Sequence, residues 1–460
     1  MTLPPPASPE PRSDDKRTRR RAPVSDHSAV GSLASAWRLP RVTNGKATGL
    51  SLPDALFFVG IDWAAAEHAV CVLDPTGRKV AAFTIAHTAA GFAELVRKLG
   101  KLADCERAPV AIERPDGRLV DTLLEAGYPV VPVKPNAIKT WREAEVLSGA
   151  KSDPGDAHVI ADYLRVRAHR LRPATPFSSH TKALRATVRS RTDLVEARVA
   201  AINQLGALLD AHWPGAKAIF ADIESAIALA FLTRYPTAAS AARLTEKQLA
   251  AFCAKQGYSG RKPAAVLLAR LRDTPAGMTD PVTCHGVRDA VLAQVGVLTA
   301  LNTAIKNLDR SIAEQMDTHP DAEIFRSFPR AGTINAAQIL AEWGDAREAF
   351  GHPDAIAALA GITPVTKASG KQRGVSFRWA CNKRLRTAIT TWAANSRFSS
   401  DWAADIYNRA RAEGKDHPHA TRILARAWIR VMWRCWQNNT PYDPILHGAA
   451  RRQAEHQIAA

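Results

Sequence analysis

The sequence predicts an α/β domain followed by a long, almost wholly helical remainder. Short apolar and β-branched runs alternate with helical patterns only between about residues 54 and 170. Beyond that point apolar residues recur at three, four or seven positions, as on one face of a helix. At 460 residues the chain can build two or three separate cores. These patterns divide it into a basic extension (1–52), an α/β domain (53–175), a helical middle (176–318), a helical C-terminal domain (319–445) and a tail (446–460).

Residues 1–52 are rich in Pro, Ser and Arg and lack apolar periodicity, the composition of a disordered extension. Their basic run Lys16–Arg21 is followed by no apolar segment, so no secretory signal is expected there; a nuclear signal or a nucleic-acid-binding arm is the alternative to a disordered tail. Phe57–Ile61, His68–Leu73 and Lys79–Ile85 read as consecutive strands, the last two joined by the turn Asp74-Pro75-Thr76-Gly77. A helix over 88–100, a strand Val110–Ile112, a helix over 117–126, a strand Pro129–Val133 and helices over 136–147 and 154–168 follow. Three antiparallel strands and then αβαβα is the succession of the RNase H/RuvC-like fold. In open α/β sheets, sites gather at strand ends.

In the middle region, Leu184, Val188, Val195, Val199, Ile202, Leu205 and Leu209 form one stripe, with Arg185, Arg189, Arg191 and Arg198 largely off it. Val291, Val295, Leu298, Ile305, Leu308 and Ile312 form another. Both suit coiled-coil arms, paired with each other or with another subunit, and both suit ordinary core packing. The stretch 213–284 between them is helix-prone and carries no motif. In the C-terminal region, IFRSFPRAGTINAAQILAEWGD reads as helix, tight turn, helix. Trp428, Trp433 and Trp436 lie at near-helical spacing as core residues, and His417 and His419 read as loop.

Lys and Arg number 62 against 44 Asp and Glu, a net charge of +18 with a pI near 9.9. Such an excess points to a polyanionic partner. No apolar run reaches the ~18 residues of a membrane span, which leaves nucleic acid as the leading partner. Six scattered cysteines show no metal-site spacing and suit a reducing cytoplasm.

Four acidic residues stand out. Asp62 and Glu113 follow apolar strands, and Asp153 and Asp156 lie three apart at a helix start in KSDPGDAHVIADYL. Hard divalent cations such as Mg²⁺, with Mn²⁺ the alternative, need oxygen ligands converging from separate segments. Two such ions can clamp both oxygens of a phosphodiester displacement. Ser152-Asp153-Pro154 is also a good helix cap, which on its own explains those acids. Ser369 precedes glycine among Lys367, Lys371 and Arg373, a setting for attack on a phosphodiester and equally for a basic surface loop. Lys151, Arg378, Lys383, Arg384 and Arg386 extend the basic set, with Phe377 and Trp379 interleaved as in nucleic-acid grooves.

VGIDWAAAEHAVCVLD, VAIERPDG, VVPVKPNAIKTWREA, KSDPGDAHVIADYL, IFRSFPRAGTINAAQILAEWGD and ALAGITPVTKASGKQRGVSFRWACNKRLRTAI occur in that order. Together they resemble the DEDD transposases of the insertion-sequence one-ten family, over most of residues 55–395. The resemblance places the family's four acidic positions on Asp62, Glu113, Asp153 and Asp156 and its catalytic serine on Ser369. It implies a bacterial, cytoplasmic recombinase with a RuvC-like Mg²⁺ site and a serine that links covalently to DNA. It further implies a structured guide (bridge) RNA and a homo-oligomer, dimer or tetramer, whose two sites meet across subunits. The chain departs from the pattern in its N-terminal extension, in Pro329-Arg330-Ala331-Gly332, where one turn glycine is missing, and in Cys381-Asn382 for Gly-Asn. The alternatives are a RuvC-like metal-dependent nuclease or junction resolvase that never uses Ser369, and an inactive nucleic-acid-binding copy.

Overall fold

Five strands build the N-terminal sheet of the computed structural model, which describes residues 52–114, 116–145, 152–369 and 372–448. The expectations for the N-terminal extension, Lys151, Lys371 and residues 449–460 lie outside the described residues. The chain divides into two units, Lys46–Tyr442 and Met1–Gly45 with Asp443–Ala460. Every element named below belongs to the first.

Strands β1 (Phe58–Trp63), β2 (Glu67–Leu73), β3 (Lys79–Ala86), β4 (Val110–Ile112) and β5 (Val130–Pro132) lie in the order β3-β2-β1-β4-β5. The pairs β1–β2 and β2–β3 are antiparallel, and β1–β4 and β4–β5 are parallel. The helices of this region are α1 (Ala89–Gly100), α2 (Arg118–Glu125), α3 (Pro135–Glu145) and α4 (Asp153–Arg167). Successive strand residues face opposite ways, and the burial follows. Val59, Ile61, Val110 and Ile112 pack with Phe92 and Leu95 of α1 and Leu119 and Leu123 of α2. Phe58, Ala111 and Val131 pack with Ile138 of α3 and Val159, Ile160 and Leu164 of α4. The sheet is therefore covered on both faces.

Two helices dominate the middle: α5 (Ser179–His212, 34 residues), and, after α6 (Pro214–Ala218), α7 (Ala226–Arg234), α8 (Ala238–Ala241), α9 (Glu246–Lys255) and α10 (Ala264–Arg272), the 38-residue α11 (Pro281–Thr318). They run antiparallel, as the pairs Thr187–Gln315, Arg191–Asp309, Arg198–Asn302 and Gln204–Gln294 show. Each end of the pair joins a different core. Leu205, Leu209, Val291, Val295 and Leu298 pack with α6–α10. Leu184, Val188, Ile312 and Met316 pack with the C-terminal helices. Between these cores the apolar stripe predicted on α5 does not hold: Val199 is 50% exposed. There Arg191 and Arg198, off the stripe, bond across to α11 instead.

The C-terminal elements are α12 (Ala322–Arg326), α13 (Gly332–Trp343), α14 (Pro353–Leu359), the hairpin β6 (Val365–Ser369) and β7 (Gln372–Ser376), α15 (Lys383–Ser396), α16 (Asp401–Ala412) and α17 (His417–Gln437). Helix–turn–helix holds for α12 and α13, and the turn places both Arg330 and Gly332 at positive φ. Trp428 and Trp436 are fully buried and Trp433 partly so. His417 and His419 are not loop residues. Asp416 caps α17 by accepting from the His419 backbone N–H at 2.8 Å, and both histidines lie in its first turn. No helix among the described residues is long and apolar enough to cross a membrane.

Candidate active site

Strand β1 continues through Asp62, which pairs with Ala69, to Trp63. Its parallel neighbour β4 ends at Ile112, opposite Ile61, so Glu113 follows one position on, beside Asp62 along the sheet edge. By alternation Asp62 shares the face of Phe58 and Gly60, and Glu113 that of Ala111, which is the α3/α4 face. Asp62 and Glu113 are both partly buried.

Helix α4 reaches the same edge. Its cap is Ser152, whose hydroxyl accepts from the Gly155 N–H at 3.3 Å, so capping and the acidic pair coexist. Midway along β1 the helix lies directly on Gly60. A Cβ there would stand 2.2 Å from the Ala157 carbonyl oxygen and 2.4 Å from the Ala161 nitrogen. At the other end of α4, Arg165 donates to the Pro75 carbonyl at 3.4 Å, in the β2–β3 turn. Helix α4 therefore runs antiparallel to β1. Its first turn, with Asp153 and Asp156, lies towards the end of the sheet that carries Asp62 and Glu113.

Asp153 is exposed, whereas Asp156 is 5% exposed and is met by the Arg142 guanidinium of α3 at 2.8 Å. A buried carboxylate requires such compensation. Among the described residues no group of three or more His, Cys, Asp and Glu side chains could hold a metal ion as placed. The donor set nonetheless fits one: hard carboxylate oxygens at two strand ends and one helix start, with a cation already accommodated on Asp156. A guanidinium and a divalent ion would compete for that carboxylate.

Ser369 ends β6, opposite Gln372 in the separate two-stranded hairpin. Lys367 pairs with Gly374 and Ala368 with Arg373, so the basic residues flank the serine on both strands. Three of the predicted nucleic-acid contacts have structural partners. Arg378 donates to the Thr363 carbonyl at 3.0 Å. Arg386 donates to the carbonyls of Ala360 and Arg378. Arg384 pairs with Asp193 at 2.8 Å. Lys383 is exposed at the start of α15. Arg386 also explains the spacing of AGITP and NKRLR. Its guanidinium passes so close to Gly361, at φ 65°, that a Cβ there would lie 2.2 Å from Nη2.

Sequence reasoning missed Glu342. It lies on α13, its side chain 2% exposed, and accepts from Arg189 at 2.7 and 2.9 Å, from Arg185 at 3.4 Å and from Asn382 at 2.7 Å. Asn382 in turn caps α15, accepting from the Leu385 N–H at 3.1 Å. One carboxylate thus ties α5, α13 and the start of α15. Burial favours the neutral acid, but the hydrogen bonds of Arg189 and Asn382 and the charges of Arg185 and Arg189 outweigh it, so the Glu342 carboxyl is held below its usual range. The one available signal was Glu within an apolar helical stripe, NAAQILAEW, with arginines off the stripe of α5.

Residues 59–214 match a transposase family model, DEDD_Tnp_IS110, and residues 322–408 match the transposase IS116/IS110/IS902 family. The "Mini-circle putative transposase for IS117" of Streptomyces coelicolor is 32% identical over 85% of this chain and 98% of its own length. The chain belongs to the IS110 family of transposases. Two further relatives share 85% of the chain: the IS900 42 kDa protein of Mycobacterium paratuberculosis at 28% identity and the IS110 43.6 kDa protein of S. coelicolor at 27%. The protein is therefore a transposase, an enzyme acting on DNA. The first matched segment spans the sheet, α4 and α5, with all four acidic positions. The second spans α12 to most of α16, with Ser369, Glu342, Asn382 and Arg386.

Proposed function

We propose that this transposase cuts and rejoins DNA with two sites, a carboxylate site on a RuvC-like sheet and the Ser369 hairpin. The observation that carries this reading is the convergence of Asp62, Glu113 and the α4 start on one sheet edge, with α4 seated on Gly60. The sheet order β3-β2-β1-β4-β5 and its mixed pairing support RuvC-like kinship. Asp62, Glu113, Asp153 and Asp156 would hold Mg²⁺. When bound it would supply electrostatic stabilisation of charge on the phosphate oxygens. The Ser369 hydroxyl attacks the DNA phosphorus. A bond from Oγ to phosphorus forms, the bond from phosphorus to the leaving DNA oxygen breaks, and that oxygen takes up the proton Ser369 loses. Attack by the rejoining DNA hydroxyl reverses the exchange and frees the serine. Lys367, Lys371 and Arg373 would neutralise the non-bridging oxygens.

In this reading the carboxylate site of a second subunit serves the hairpin. A structured guide RNA directs the site, in keeping with the +18 net charge. A denaturing gel of the protein with labelled DNA ends and Mg²⁺ tests the chemistry. A covalent adduct is expected with the wild type and none with Ser369→Ala. Cleavage without any adduct would instead make the protein a metal-dependent nuclease.

A further inference from the structure

We propose that Trp379, with an arginine track along α17, seats an unpaired nucleotide of the DNA strand next to the Ser369 hairpin. Three observations point to this. Trp379 is 77% exposed just after β7, an unusual position for the largest apolar side chain. Its neighbour Phe377 meets it edge-on at 4.9 Å and is itself held under two guanidinia, Arg386 at 4.4 Å and Arg422 at 5.1 Å. The platform is thus fixed from below by α15 and α17, with most of the indole exposed.

The second observation lies on α17. Arg422, Arg426 and Arg430 succeed one another at four-residue spacing on one face, about 6 Å apart along the helix. Like charges so placed destabilise a helix. The ion pair of Arg426 with Asp354 at 3.1 Å is the only one the three make among the described residues. Burial and the charge of Arg426 together depress the Arg430 guanidinium below its usual range. Three cations against one carboxylate suit an anionic chain as the missing partner. The third is position: the track leads to Phe377, and Trp379 stands two residues on. Aromatic stacking on bases beside a basic groove is the general mode of single-strand binding.

The inference rests on the proposed role of the hairpin, but its test does not use serine chemistry. Fluorescence anisotropy with a labelled single-stranded DNA oligonucleotide, without metal, would measure binding across a salt series. Trp379→Ala is expected to weaken binding about tenfold with the salt slope unchanged, and Trp379→Phe to retain most of it. Arg422→Gln and Arg430→Gln are each expected to lower the slope by roughly 0.7. Unchanged binding by Trp379→Ala would overturn the assignment. So would a change in oligomeric state on light scattering without loss of DNA binding, which would make the indole a subunit contact. A Trp379 dependence seen with RNA and not DNA would overturn it too. Loss of the covalent adduct in the wild type, with the Trp379 effect intact, would strike only the serine reading.

Discussion

Glu342→Gln removes the charge that joins α5, α13 and α15 while keeping the shape of the side chain. The carboxylate is 2% exposed and its arginine partners 27% and 32%. Breaking a buried ion pair costs about 3–5 kcal/mol. Because both arginines keep some access to water, the expected loss is near the lower bound, about 3 kcal/mol. The two arginines are not equivalent. Arg189 makes two short bonds, and hydrogen bonding to Glu342 raises its guanidinium above the usual range. Burial depresses that of Arg185 despite the carboxylate. Arg189→Gln should therefore cost more than Arg185→Gln, and Glu342→Gln with Arg189→Gln should fall short of additivity by at least about 1 kcal/mol. Denaturant unfolding followed by tryptophan fluorescence suits the measurement, since Trp343, Trp392, Trp428 and Trp436 are buried in this core. The folded-state pKa of Glu342 lies below the ordinary value of 4.5. Its contribution is thus full above the unfolded-state pKa and lost as pH falls through the lower folded value, where wild type and variant should converge. A Glu342→Gln protein within about 0.5 kcal/mol of wild type, or a larger cost at Arg185, would refute the reasoning.

Two further outcomes are expected at the sheet edge. Gly60→Ala should displace α4, because the atoms it meets are backbone and cannot rotate aside; the cost is about 1–3 kcal/mol. Hydrogen exchange should rise in α4 and recombination should fall, and unchanged exchange would count against a direct seat. Arg142→Ala removes one guanidinium from Asp156, and Mn²⁺ titration calorimetry should show affinity up by about tenfold; equal or weaker binding would show that this guanidinium does not compete.

The alternation of strands and helices in the first domain was legible because each strand is short, apolar and bounded by turn residues such as Asp74-Pro75-Thr76-Gly77. The ends of β1 and the stripes of α5 were less so. Trp63 extends β1 past its acidic residue through pairing with His68, a partner no local pattern reveals. Val199 continues a helical period yet stands in solvent, because that stretch of α5 bridges two cores and spends its contacts on Arg191 and Arg198. At the candidate sites the residue types could be picked out, but not their partners. Arg378, Arg384 and Arg386 read as open cations for a polyanion, and each is engaged by a carbonyl or carboxylate distant in sequence. Glu342 and Arg422 acquire meaning only when α13 meets α5 and α17 meets the hairpin.

Ligands for an ion must be placed to within a few tenths of an ångström, finer than the give of packed side chains. Where α4 crosses β1 no side chain intervenes, so main chain rests on main chain and hard atoms set the spacing. Substitutions deep in either hydrophobic layer can then loosen the domain while the gap between strand and helix holds. The filling of the two layers can change with little effect on that spacing, whereas a single methyl group on one bare α-carbon would force it open.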